Sequence, residues 1–189
     1  MTQLISKLCT LICCAILLSA CQSHIKNSKV IAGVFNFSTD IQQKMIEKGA
    51  PQNVLLTRNI VYQDQPKLSF DLYQPENIAE LGLRPTIVWI HGGGWISGSK
   101  EHGSGYYKML AQQGYNVISV EYQMAPEHIY PTRLQQIDQA LNYISQHAAD
   151  YHVDANALFL AGDSAGANMA SHMLPCSPHP IMPLQKISK

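Results

Sequence analysis

Three short runs of residues at 86–90, 116–120 and 157–161 (Thr86-Ile87-Val88-Trp89-Ile90, Asn116-Val117-Ile118-Ser119-Val120 and Ala157-Leu158-Phe159-Leu160-Ala161) are apolar without a two-residue alternation. Strands buried on both faces of a parallel sheet read this way. Between the second and third runs, Leu134, Ile137, Leu141, Ile144 and Ala148 recur at steps of three and four, which predicts a helix over 133–147. A shorter helix is predicted over 106–113, stopped by Gly114. Strand, helix, strand, helix, strand is the order of a right-handed parallel series. Upstream, the stretches 54–62 and 67–73 are rich in β-branched and aromatic residues, and Asp64-Gln65-Pro66 separates them. They predict an antiparallel hairpin that ends at Pro75.

Residues 165–174 continue as a helix, whose N-terminal dipole would face Ser164. Pro175, Pro178, Pro180 and Pro183 follow, each without an amide donor, so the segment 175–189 is expected to supply no further strand. Residues 21–50 read as a polar tether and one loosely attached helix marked by Ile41, Met45 and Ile46 and closed by Gly49, with no chemistry expected there. The organising unit is therefore one partial domain over 51–174.

Composition narrows the class. Of 189 residues, 46% are hydrophobic and 14% charged, which is globular rather than disordered. Formal net charge is +0 with no basic run, so nothing recruits nucleic acid. The N-terminus carries Lys7 and then an apolar stretch, 8–20, that ends in small residues like a secretory signal and is too short to cross a bilayer comfortably. Leu18-Ser19-Ala20-Cys21 resembles the bacterial lipobox, which implies cleavage after residue 20 and lipidation of Cys21. With Gln22 next, the same resemblance implies a lipid-anchored protein of the bacterial outer membrane, facing the periplasm. Only Cys176 then remains as a thiol, so no disulfide is expected.

Two glycine-rich segments carry the chemistry. Gly162-Asp163-Ser164-Ala165-Gly166 lies between a predicted strand and a predicted helix, with Ser164 at the apex of a turn that only flanking glycines let close. His91-Gly92-Gly93-Gly94-Trp95 follows the first apolar strand, and its amides suit a developing oxyanion. Together they describe two halves of an acyl-transfer site. No triad acid follows, because residues 165–189 contain no Asp or Glu. His172 is on the helix of Ser164 and about 12 Å along its axis, out of hydrogen-bond reach. His179 has no acid to orient it, and nothing in the spacing of His102 or His128 makes either a base.

With these motifs the sequence resembles the α/β-hydrolase superfamily, in its hormone-sensitive-lipase-like and bacterial carboxylesterase branch. A third segment supports the likeness: Glu121-Tyr122-Gln123-Met124-Ala125-Pro126-Glu127-His128 is similar to a family segment after the fourth strand, departing from it at Glu121, Gln123 and Met124. The resemblance implies an α/β-hydrolase fold, with a mostly parallel sheet and an N-terminal antiparallel hairpin, of which the chain holds the N-terminal two-thirds and lacks the C-terminal third. It implies Ser164 as nucleophile and the amides of Gly93, Gly94 and Ala165 as oxyanion hole, acting on short-chain or aryl esters without cofactor or metal. His91 is implied to pack beneath the glycine turn, and Asp163 to be a motif residue pointing away from the nucleophile. Trp95, Tyr106 and Tyr107 fit either a substrate pocket or the core. Expected partners are a small ester and, through the anchor, a membrane. Amidase or formamidase chemistry, a non-catalytic binding module and one half of a split enzyme are the competing expectations.

Overall fold

The computed structural model describes residues 24–173 and 181–182. Its elements, in chain order, are α1 (His24–Glu47), β1 (Val54–Gln63), β2 (Leu68–Pro75), α2 (Ile78–Leu81), β3 (Arg84–Ile90), α3 (Ser104–Gln112), β4 (Asn116–Val120), α4 (Thr132–Gln146), β5 (Val153–Gly162), α5 (Ala165–Met173) and β6 (Ile181–Met182). The strands form one mixed sheet in the order β1-β2-β4-β3-β5-β6. The predicted hairpin is β1–β2, antiparallel, and β2 also runs antiparallel to β4. β3 pairs parallel with β4 on one side and β5 on the other.

Strand periodicity sorts the core into two layers. Val88 and Ile90 of β3, Ile118 and Val120 of β4, and Leu158 and Leu160 of β5 face α4 and α5, where Ile137, Leu141, Ile144 and Met169 cover them. The alternate residues face the other way, with Tyr73 and Val117 against Tyr107 and Ala111 of α3. All five residues of β4 are buried, the polar Asn116 and Ser119 among them, as in a central strand covered on both faces. Because β4 and β5 flank β3 on opposite sides, the chain reverses its direction of travel across the sheet there. Loops at the carboxyl ends of β3 and β5 diverge at such a point and leave a crevice.

Two expectations are corrected. Residues 24–47 form one continuous helix rather than a tether with a short helix. Its side turned to the domain is polar: Asn36 accepts a hydrogen bond from the Gly98 amide at 3.0 Å, and Glu47 accepts from Ser104 at 2.6 Å and from Lys108. Val30, Val34, Phe37, Ile41 and Met45 line the solvent side at steps of three and four. Of the apolar positions read in sequence, Ile41 and Met45 thus face outward, while Ile46 turns inward to pack on Gly105. The second correction lies in the proline-rich segment, where Ile181 and Met182 pair in parallel with Leu158 and Phe159 of β5. These two residues sit between Pro180 and Pro183 and keep their own amide donors, which is enough for a two-residue pairing. Cys21, Cys176 and His179 lie outside the described residues.

The loop after β3 is bolted to the sheet by a buried ion pair. Asp71 of β2 is fully buried and receives the Lys100 ammonium at 2.6 Å and the Asn59 amide at 2.8 Å, Asn59 standing in a left-handed conformation at a bulge of β1. Ser119 of β4 donates to the Lys100 carbonyl at 2.7 Å. Burial alone would draw the Lys100 pKa below its ordinary 10.5, but hydrogen bonds to Asp71 and Glu101 outweigh it and leave the pKa raised. Its stabilising contribution is complete below pH 10.5 and is lost as pH rises through the raised value. Lys100→Met leaves Asp71 with the Asn59 amide and the half-exposed Arg58 guanidinium 3.5 Å away, and is expected to cost about 1–3 kcal/mol in urea unfolding, whereas adding Asp71→Asn should recover part of that loss.

Candidate active site

The elbow after β5 is built on backbone contact. Ser164 takes φ +50°, a left-handed conformation that costs a non-glycine residue about 1–3 kcal/mol and persists only where its surroundings enforce it. Gly166 places the first turn of α5 directly on the Ile90 carbonyl at the end of β3, leaving no room for a Cβ. A Cβ on Gly162 would lie 2.6 Å from the same oxygen. Ser164 itself is exposed at the apex, while Ala165 beside it is buried. The Asp163 carbonyl accepts the Gly166 amide at 2.8 Å and closes the turn.

The Asp163 side chain turns away to the other half of the site. Its Oδ1 accepts from the Gly92 amide at 3.1 Å and from the Trp89 indole at 3.2 Å. The two motifs, far apart in sequence, are thus joined by one carboxylate. Gly93, Gly94 and Trp95 follow with φ +114°, +60° and +63°. The Gly93 carbonyl accepts from the Ser97 amide at 3.0 Å and from Ser97 Oγ at 2.7 Å, so the turn is rigid. The amides of Gly93, Gly94 and Ala165 donate to no other described residue, as an oxyanion-binding turn requires.

His91 is buried beneath this turn. Its ring stacks on Tyr122 at 4.2 Å and 12°, and Nδ1 lies 2.8 Å from the Gly92 carbonyl, which assigns the proton to Nδ1. Nε2 lies 3.4 Å from Glu121 Oε1 without an aligned hydrogen bond. Tyr122 Oη donates to the His91 carbonyl at 2.7 Å. Burial first, then the Glu121 charge, pushes the Tyr122 phenol well above its ordinary range, so it remains a donor. Glu121 also accepts from the Lys100 amide at 3.2 Å. Gln123 and Gln136 exchange hydrogen bonds at 2.9 and 2.7 Å. The three departures from the family segment include two, Glu121 and Gln123, that support the site from below.

Two cavities flank the glycine turn. The larger, about 420 Å³, lies toward α4 and α5 and is lined by Gly94, Trp95, Leu134, Met169 and His172 among others. The smaller, about 240 Å³, lies toward α1 and α3 and is lined by Gly92, Gly93, Asp163, His102 and Tyr106 among others. Thr39, Gln42 and Ile46 of α1 also wall this second cavity, so the segment from which no chemistry is expected in sequence borders the site. Trp95 thus faces a cavity, and Tyr106 packs edge-on against Trp89 at 5.5 Å. Tyr107 is buried and serves the core as well as the smaller cavity's wall. His102 Nε2 lies 3.4 Å from Asp40 Oδ1. Ser164 lines neither cavity, and its hydroxyl meets no described histidine in a hydrogen bond. Tyr122 and the α1 wall are what the sequence reading missed; the position of Tyr122 inside the third motif is the one signal that pointed to either.

A serine exposed on a strained turn, beside a rigid loop of unpaired amides, can hold a carbonyl carbon against a hydroxyl and its oxygen against N–H donors. Comparison with known proteins agrees. Residues 70–177 match the family model BD-FAE. The chain is 34% identical over 137 residues to the probable carboxylesterase 1 of Arabidopsis thaliana, covering 65% of this chain and 43% of that protein. It is 32% identical over 114 residues to a probable isoprenylcysteine alpha-carbonyl methylesterase of the same plant, covering 60% of this chain and 24% of the relative. Among solved structures, the hyperthermophilic esterase of the archaeon Pyrobaculum calidifontis superposes with TM-score 0.65 and 29% identity over 76% of this chain and 44% of the other. Esterase B of Lactobacillus rhamnosis gives TM-score 0.65 and 26% identity over 77% of this chain and 48% of its own. The matched part of the chain spans less than half the length of each of these relatives. Fold, motif geometry and likeness converge, and the chain belongs to the BD-FAE family, with the α/β-hydrolase fold of carboxylic ester hydrolases.

Proposed function

We propose that this chain carries the nucleophile and oxyanion hole of a serine esterase. The observation that supports the reading best is Ser164 at φ +50°, exposed at an elbow that Asp163 ties to the glycine turn. In the proposed reaction Ser164 Oγ attacks the ester carbonyl carbon, and the carbonyl oxygen becomes an oxyanion facing the amides of Gly93, Gly94 and Ala165. The C–O bond to the alcohol breaks, the alcohol leaves with a proton, and water hydrolyses the acyl-serine to release the acid. The Ser164 proton needs a base, and no described histidine is bonded to it. Loss of the base from such a site costs roughly a million-fold in turnover, about 8 kcal/mol, while a strong electrophile still reaches the serine.

Excess fluorophosphonate is expected to label Ser164 slowly, yet ahead of any other residue, shown by peptide mass spectrometry, and Ser164→Ala should abolish the label. Turnover of p-nitrophenyl acetate by the chain should stay within a few-fold of Ser164→Ala. Labelling at another residue would overturn the nucleophile assignment, and rapid serine-dependent turnover would show that another residue of the chain serves as base. Gly166→Ala, which drives a methyl into the Ile90 carbonyl, should lose the label and about 1–3 kcal/mol of stability in urea unfolding.

We also propose the location read from the N-terminus, with Cys21 lipidated and the domain held on a membrane face. No described helix is long and apolar enough to cross a membrane. A mature N-terminus at Cys21 bearing acyl chains is the expected result of intact-mass analysis in a bacterial host. Cys21→Ser should release the protein from the detergent phase, and persistence there would refute the assignment.

A further inference from the structure

The larger cavity is apolar in all but a few groups. Trp95, Ile96, Leu134 and Met169 supply its walls, and no Asp or Glu lines it. Into this wall the fold places Arg133, at the start of α4, 8% exposed. Its Nη1 meets the Trp95 carbonyl at 3.4 Å and the His128 carbonyl at 3.3 Å, both long, and no described carboxylate lies within 4.0 Å of the guanidinium. The nearest acids in sequence face elsewhere: Asp138 accepts from Asn142 at 3.2 Å, and Glu127 is exposed and turned to Lys29 at 3.9 Å.

Two neutral carbonyls fix the position of a guanidinium but do not balance its charge. A cation held out of water without a counter-charge is costly, and arginine cannot discard its proton to escape the cost. Burial draws the Arg133 pKa down, with Tyr122 opposing the shift. Conventional folding offers the sequence a simpler choice, since a methionine or glutamine at the same position would pack there without the penalty. What a buried arginine adds is a planar fork of donors matched to a carboxylate, at its strongest in a dry apolar site. The cavity wall also includes Gly94 of the glycine turn, so a molecule seated there brings its other end to the turn's amides.

From this juxtaposition, and resting on the esterase reading above, we infer that the 420 Å³ cavity selects esters that carry a free carboxylate on an apolar or aromatic arm, the carboxylate pairing with Arg133. The half-ester of a dicarboxylic acid has this chemistry. Trp95 supplies a flat apolar wall for the arm, and His172 adds a second polar group at the cavity wall. Arg133 acts on recognition and takes no part in bond making or breaking.

Binding tests this without requiring turnover. Trp95 lines the cavity, so the intrinsic fluorescence of the full chain reports occupancy as 3-phenylpropionate or its neutral isostere 3-phenylpropionamide is added. The acid is expected to bind at least about tenfold more tightly than the amide, the worth of one charge-assisted hydrogen bond. Arg133→Gln should bring the two affinities together, and Arg133→Lys should restore part of the difference. Ser164→Ala should retain the full preference, so failure of the nucleophile assignment and failure of this inference give different results. Added sodium chloride should weaken the acid in the wild-type chain and leave the amide unchanged, a readout independent of how the variants fold. Equal affinities for acid and amide in the wild type, a preference insensitive to salt, or one that survives Arg133→Gln would each overturn the inference.

Discussion

The site rests on one steric constraint, the contact of the first turn of α5 with the carbonyl end of β3. Gly166 meets the Ile90 carbonyl with no space for a side chain, and Gly162 approaches the same oxygen from β5. This close approach aims the start of α5, lifts Ser164 into its left-handed conformation and brings Asp163 within reach of Gly92 and Trp89. Without it there is no turn tight enough to expose the serine and no carboxylate at the place where the glycine turn must be held. The strain at Ser164 is offset by buried backbone packing around it rather than by contacts of its own side chain.

Beneath the turn, the fold uses buried polar groups where a simpler domain would use aliphatic ones. His91, Tyr122 and Glu121 form a stack under Gly92, and Asp71 with Lys100 anchors the loop's far end. Apolar packing would fill the same volume with little directional preference. Hydrogen bonds and ion pairs at a buried site instead tolerate few alternative arrangements, and a turn of three consecutive left-handed residues needs that restriction. Glu121 and Gln123, where the chain departs from the family segment, belong to this support.

Much of the sheet was legible because burial on both faces leaves an unambiguous trace: the runs at 86–90, 116–120 and 157–161 became β3, β4 and β5, with β5 extended toward its N-terminus. The two glycine segments were legible because their residues are dictated by backbone geometry, which reads directly from sequence. The length and docking of α1 were not, since its inner face, Ile46 aside, carries Asn36, Thr39 and Glu47, and such residues look like solvent-exposed positions until their partners are known. The union of the two motifs through Asp163 was likewise invisible, because it depends on which strands lie adjacent. Nor could spacing reveal that the glycine turn divides two cavities, or that an arginine with no described carboxylate partner stands in one of them.

The pairing of β3 with β5 has a kinetic meaning. Thr86 faces Leu158 across that parallel ladder, joining residues about seventy positions apart, while the β1–β2 hairpin pairs close neighbours such as Gln63 and Leu68. Closing a long loop carries an entropy cost that its contacts repay only once formed, so local pairings come early and this ladder comes late. Ser164 and the glycine turn meet across that ladder. The chain therefore assembles most of its sheet before its site exists, and any intermediate that halts earlier has the hairpin without the elbow.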